Sequence, residues 1–142
     1  MNLYAESSAV LAWLLGEPGG DDMYEFMASA GTVVTSDLTL VECARVLARI
    51  AAREELSEAE VAALHGELAI TAAHWTILEL EAEVISRARH RFPKEPVRTL
   101  DALHLASALA AKAAAPDLVV LSLDEQVRAN ARSLGFELRP AE

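Results

Sequence analysis

Residues 99–113, TLDALHLASALAAKA, carry the strongest helical pattern in the chain and are apolar on nearly every side. On a helical wheel Leu100, Leu103, Leu105 and Leu109 point in very different directions, so no broad polar face remains. A helix of this kind is buried between other elements rather than laid on a surface. The neighbouring segments supply what would cover it. Short apolar or β-branched runs predict strands over 3–5, 32–35, 75–78 and 118–123, with an edge strand over 136–138. Between them, periodicity predicts helices over 8–15, 21–30, 38–53, 57–72, 81–91 and 125–134. The turn residues GEPGG stop the first helix, Ser57 and Glu60 form a capping-box pattern, and Pro93 follows the helix over 81–91. Strands separated by helices call for a parallel sheet covered on both faces, an α/β fold. No linker, repeat or low-complexity stretch divides residues 1–142, so one domain is expected.

Composition agrees. A chain of 142 residues, 53% hydrophobic, fits one ordinary domain with a real core. The longest uncharged run near the start, 7–16, is about half of the roughly 20 residues a spanning helix needs. No basic segment precedes it, so neither a membrane anchor nor a signal peptide is expected. The single cysteine, Cys43, has no internal disulfide partner, which suits a reducing cytoplasm.

A net charge of −10 is unpromising for a protein that meets nucleic acid, but the charge is uneven. Residues 1–85 hold 15 acids against 3 bases, whereas residues 86–142 hold 7 acids against 9 bases. Arg87, Arg89, Arg91, Lys94 and Arg98 lie close together with His90 among them. Recognition of a phosphate backbone needs a local basic patch, not a basic average. A solvated helix end and loop would give the same pattern.

Four acids have ordinary structural roles when taken singly. Glu6, between the first strand and first helix, favours the positive helix N-terminus, with Ser7 or Ser8 as the cap. Glu42 shares a helical strip with Arg45, Arg49 and Arg53 and is placed to pair with Arg45. Asp101 is placed to cap its helix, and Ser122 with Glu125 makes a second capping-box pattern around Asp124.

Taken together they suggest more. In an open α/β sheet, ligands bind beyond the carboxyl ends of the strands where strand order reverses, and Glu6 and Asp124 each follow a strand directly. Two carboxylates about 6 Å apart repel by about 2.8 kcal/mol at an effective dielectric near 20, a cost that a divalent cation offsets. Periodicity alone does not bring Glu42 or Asp101 beside the other two.

The segments YAESSAVLAWLLGEPG, TSDLTLVECARVL, RTLDALHLASAL and VLSLDEQVRANARSLGF resemble, in order, four sequence blocks of the PIN-domain family, and the chain is similar to its VapC-type toxins. DALHLA is fairly specific; the others gain weight from their order. The resemblance implies a three-layer α/β/α sandwich around a mainly parallel sheet. It also implies hydrolysis of RNA phosphodiesters with one or two Mg²⁺ or Mn²⁺ ions, leaving a 5′-phosphate and a 3′-hydroxyl. Matched position by position, it assigns Glu6, Glu42, Asp101 and Asp124 to the metals, directly or through water, with Ser8 and Ser122 in support. It further implies a homodimer and a VapB-like antitoxin partner. Position 6 departs from the family, which usually has Asp there; the extra methylene displaces the charge by about 1.5 Å.

Other readings stay open. A PIN-fold protein that binds RNA or protein without cutting would keep the same blocks. A receiver-like site wants a lysine near a late strand end, where Lys112 instead precedes the strand, and a DxD phosphatase wants two aspartates where only Glu6 stands. His104 falls one turn after Asp101 and reads as a hydrogen-bonded core histidine or as a partner to the acids. Trp13, Trp75 and Cys43 read as packing residues.

Overall fold

The computed structural model describes all residues from Met1 to Glu142. Its elements are β1 (Asn2–Ala5), α1 (Ser7–Leu14), α2 (Gly20–Ser29), β2 (Thr32–Ser36), α3 (Asp37–Ala52) and α4 (Glu58–Ala72). They continue with β3 (Thr76–Leu78), α5 (Ala82–Ala88), α6 (Thr99–Ala114), β4 (Val119–Leu121), α7 (Glu125–Ser133) and β5 (Glu137–Arg139). The five strands form one sheet in the order β3-β2-β1-β4-β5, and every pair is parallel. The chain builds outward from β1 through β2 to β3, then crosses back to place β4 on the other side of β1. The sheet therefore reverses direction between β1 and β4, opening a crevice at their carboxyl ends.

Strand alternation divides the core into two layers. Leu3, Ala5, Val33, Val119 and Leu121 face one side, where they pack with Ala9, Val10, Met23, Cys43 and Leu47 from α1, α2 and α3. Tyr4, Val34 and Val120 face the other, against Ala102, Leu105 and Ala108 of α6 and Val127 and Ala131 of α7. The result is the expected three-layer α/β/α sandwich. Each large apolar side chain taken out of water contributes roughly 1.5–3 kcal/mol, so the two layers are the main source of stability.

Local chemistry sets the joints. Ser57 accepts from the Glu60 N–H while the Glu60 carboxylate accepts from the Ser57 N–H, closing the capping box that opens α4. Gly20 begins α2 where it touches α1: a Cβ there would sit 2.2 Å from the Ala12 carbonyl oxygen, so only glycine permits this approach. The predicted helix over 81–91 stops at Ala88. The segment that follows is held instead by α7, through bonds from the Asn130 amide and the Gln126 amide to the Lys94 carbonyl at 3.2 and 2.6 Å. Gln126 also reaches the Pro96 carbonyl, and the Lys94 N–H donates to the Asn130 side chain at 2.8 Å.

Candidate active site

The carboxyl ends of β1 and β4 lie side by side, joined by the Glu6 N–H donating to the Leu121 carbonyl at 3.0 Å. Glu6 is itself the N-cap of α1, in place of the Ser7 or Ser8 cap suggested by the sequence. Its extended backbone and long side chain let the carboxylate fold back over the first turn. There it is 3% exposed and accepts four hydrogen bonds. Oε1 takes the hydroxyls of Ser8 and Ser122, each at 2.6 Å. Oε2 takes the Ser7 hydroxyl at 2.7 Å and the Ser8 N–H at 2.9 Å. An ionised carboxylate offers about four lone-pair sites, and here all four are used. Burial pushes the Glu6 carboxyl up, but His104 and the hydroxyls of Ser122, Ser8 and Ser7 outweigh it and hold it below the usual range.

Ser122 and Ser8 have their own supports. Ser122 accepts from the Asp124 N–H, its N–H donates to the Arg139 carbonyl, and its carbonyl accepts from the buried Arg128 guanidinium at 2.9 Å. The Leu123 N–H donates to the Ser8 hydroxyl at 2.9 Å. The loop after β4 is thus sewn to the start of α1. Asp124, rather than Ser122, is the N-cap of α7, with Oδ1 accepting from the Val127 N–H at 2.9 Å.

Asp101 lies in the first turn of α6, whose N-cap is Arg98, so Asp101 is not the cap the sequence suggested. It is half-buried, and its carboxyl is pushed up to about 6. Burial is the main cause, followed by the negative charges of Asp124 and Glu6; His104 and Arg98 oppose them only in part. No hydrogen bond contributes to this balance, so Asp101 is an electron-rich group pressed by like charges and left without protein donors.

Glu42, on the α3 surface, does not form the ion pair with Arg45 that its helix position suggested. Its Oε1 instead lies 2.6 Å from Nε2 of His104, which is 1% exposed on α6. The other ring nitrogen, Nδ1, lies 3.0 Å from the Tyr4 hydroxyl on β1. Tyr4 is fully buried, and desolvation drives its phenol far above the usual value, so its O–H stays protonated. Sequence reasoning singled out His104 but missed Tyr4 and Ser7. The alternation along β1 gives the face of Tyr4, whereas nothing local points to its partner 100 residues away.

The basic residues lie in and just after α5, on the way to the start of α6 that carries Asp101. Arg89, Arg91, Lys94 and Arg98 are exposed between α5 and the start of α6, and Arg98 is near enough to Asp101 to act on its charge. Arg87 differs: it is partly buried, with its guanidinium 4.2 Å from the centre of the Phe92 ring. Trp13 packs against Tyr24 with ring centres 5.6 Å apart, and Cys43 is buried in the core. An apolar groove lined by Tyr24, Met27, Val33, Ile70 and Trp75 lies towards the amino ends of β2 and β3, the opposite sheet edge from the acids.

Comparison with known proteins adds to this geometry. The PIN domain family model matches residues 3–133. Ribonuclease VapC45 of Mycobacterium tuberculosis (strain CDC 1551 / Oshkosh) is 30% identical over 140 residues, covering 99% of this chain and 96% of the relative. Ribonuclease VapC46 of Mycobacterium tuberculosis (strain ATCC 25618 / H37Rv) is 31% identical over 135 residues, covering 94% and 93%. Among solved structures, Mycobacterium tuberculosis VapC20, a Sarcin-Ricin loop cleaving toxin, superposes with a TM-score of 0.67 at 16% identity over 94% of this chain and 95% of that one. VapBC2 from Rickettsia felis, bound to a DNA fragment from its promoter, gives 0.62 at 13% identity and covers 98% of both chains. The latter two are too distant in sequence to speak for more than the fold, but the family model and the nearer relatives leave no gap along the chain: it belongs to the PIN-domain family, among the VapC ribonucleases.

Proposed function

We propose that this protein is an endoribonuclease that hydrolyses RNA phosphodiester bonds with the help of Mg²⁺ or Mn²⁺, as the toxin of a toxin–antitoxin pair. The observation that carries the reading is the gathering of acids at one crevice: Asp101, half-buried and free of hydrogen bonds, stands near enough to Asp124 and Glu6 for their charges to act on it. Such a cluster is costly without a cation and well suited to one.

The fit of the residues to a cation is uneven. Asp101 has both oxygens free of hydrogen bonds, while Asp124 and Glu42 each have one oxygen outside theirs. Glu6 has no lone pair to spare. No three acidic, histidine or cysteine side chains close around a single point as they would in an all-protein cage. Mg²⁺ does not require one, since it keeps several waters and takes one or two carboxylates plus phosphate oxygens. Asp101 and Asp124 are the best-placed ligands, with Glu42 reached directly or through water. A cation held there supplies Lewis acidity to the scissile phosphate and lowers the pKa of a bound water.

The chain's own groups do the rest. Arg89, Arg91, Lys94 and Arg98 draw in the phosphate backbone and hold it beside Asp101. Ser8 and Ser122 keep Glu6 ionised and fix the two strand ends around the crevice. The charged crevice also suits a basic residue of a VapB-like antitoxin, and such a contact steers and strengthens association. A homodimer working in the cytoplasm completes the reading. No helix is long and apolar enough to cross a membrane.

Cleavage of a structured RNA in Mg²⁺ or Mn²⁺, lost in EDTA and lowered by orders of magnitude in Asp101→Asn with the fold intact, is the expected result. Undiminished cleavage in EDTA overturns the metal mechanism. The saturated carboxylate of Glu6 favours one second reading, a PIN-fold module that binds RNA without cutting it. Metal-insensitive RNA binding with no cleavage would select that one.

A further inference from the structure

His104 is the neighbour common to three acids from three elements. It bonds Glu42 of α3 directly, and it lies close enough to Glu6 after β1 and to Asp101 one turn earlier on α6 to bear on the ionisation of both. Both of its nitrogens are engaged, and the ring stands edge-on to Tyr4, with planes at 74° and centres 6.2 Å apart.

The direction of these bonds follows from the partners. An ionised carboxylate only accepts, so Nε2 carries the proton of the 2.6 Å bond to Glu42. The Tyr4 phenol keeps its proton, so when the ring is neutral Nδ1 accepts the Tyr4 O–H. Glu42 thereby selects the tautomer, and Tyr4 matches it by donating to the ring's other nitrogen. Without that brace Glu42 would be a long, partly exposed side chain on a helix surface, free to sample several rotamers. The brace leaves Oε2 free while holding Oε1.

We propose that His104 is a positioning residue, which fixes the Glu42 carboxylate for cation binding through Nε2 and is itself held in place by Tyr4. The proposal rests on the metal-site reading above. Hydrogen-bonding partners of metal ligands typically affect affinity by about 10–100-fold when removed, which sets the expected size of the effect.

Titration of the whole protein with Mn²⁺ alone by calorimetry, with thermal unfolding of each variant alongside, tests it. His104→Asn keeps a polar group near Nδ1 but withdraws the donor from Glu42, and should weaken Mn²⁺ about 10–100-fold. His104→Gln places an N–H near the former Nε2 and should restore most of that affinity. Tyr4→Phe, which never touches Glu42, should weaken Mn²⁺ several-fold by releasing the ring from its second partner, while the nitrogen-15 shifts still show Nε2 protonated. Glu42→Gln added to His104→Asn should cost little more, because the two act as one unit. Equal affinities for Asn, Gln and wild type, or equal losses in Asn and Gln, overturn the positioning role while leaving the metal site standing. Wild type that fails to bind Mn²⁺, or that binds no better than Asp101→Asn, overturns the metal-site reading and this proposal with it. If the His104 variants do not fold, Tyr4→Phe decides, since it removes a single oxygen; unchanged affinity overturns the proposal.

Discussion

Glu6 Oε1 and Ser122 Oγ lie 2.6 Å apart although 116 residues separate them in the chain. This bond, with that from Ser8, ties the carboxyl ends of the two central strands β1 and β4 through one buried anion.

Replacing that anion should therefore be a stability event first. Glu6→Gln turns one acceptor oxygen into an amide donor that faces donors, leaving buried polar groups unmatched at a cost of about 2 kcal/mol. For a chain of this size that lowers Tm by roughly 4–8 °C. Because the Glu6 carboxyl is held below its usual range, its contribution is present above the ordinary value and is lost as pH falls through the depressed one. Differential scanning of wild type and variant at neutral pH and in acid checks both points. An unchanged Tm at neutral pH would show that the four bonds contribute nothing net.

Asp101 has the opposite sign. A carboxyl raised to about 6 binds more protons in the folded than in the unfolded protein between about pH 4 and 6, so metal-free stability falls as pH rises through that window. Asp101→Asn removes the like charge and should make the metal-free protein more stable than wild type at pH 7.5. Mn²⁺ should raise the Tm of wild type more at pH 7.5 than at pH 5, and hardly move that of the variant. A variant less stable than wild type at pH 7.5 would contradict the charge argument.

The basic residues divide by exposure. Replacing Arg89, Arg91 and Lys94 together should weaken RNA binding and reduce the slope of log K against log salt by about 2, at about 0.7 per contact with a single strand. Arg87→Ala should act on stability, through the stacking on Phe92, and leave the slope nearly unchanged. Filter binding across a salt series separates them; equal slopes for the triple variant and wild type would remove these residues from the RNA-facing surface.

Gly20→Ala tests the packing of α1 on α2. The added methyl meets backbone at Ala12, so something must shift, at a cost of about 1–3 kcal/mol. Urea unfolding gives the number directly. A neutral effect would mean that α2 can slide without loss.

What was legible in the sequence was whatever is decided nearby in the chain. The capping box of Ser57 and Glu60 and the alternation of Leu3, Tyr4 and Ala5 follow from spacing, whereas the helix over 99–113, expected to be buried throughout, is buried only along its middle, from Ala102 to Ala108, with Leu100 45% exposed at its start. The caps at Glu6 and Asp124 were misassigned because serines and acids stand side by side at both places. The choice between them depends on how the backbone leaves a strand, which is set by the neighbouring strand. Glu42 was expected to pair with Arg45, one turn away, but a buried imidazole 62 residues on holds it more closely. The segment around Lys94 is organised by Asn130, 36 residues later, for which no local signal exists. The resemblance supplied the four acids as a group with Ser8 and Ser122 in support, but not that these hydroxyls, with Ser7 and the Ser8 N–H, would take up every lone pair of Glu6.

The central place of β1 also sets a timetable. At the usual pace of synthesis, about 5–20 residues per second, Glu6 leaves the ribosome roughly 6–23 seconds before Ser122. Until then its carboxylate has only Ser7 and Ser8 for company, and the wall formed by β4 does not exist. Ser122 in turn takes its orientation from Arg139 on β5, which arrives later still. The crevice does not exist until β4 and β5 have joined β1.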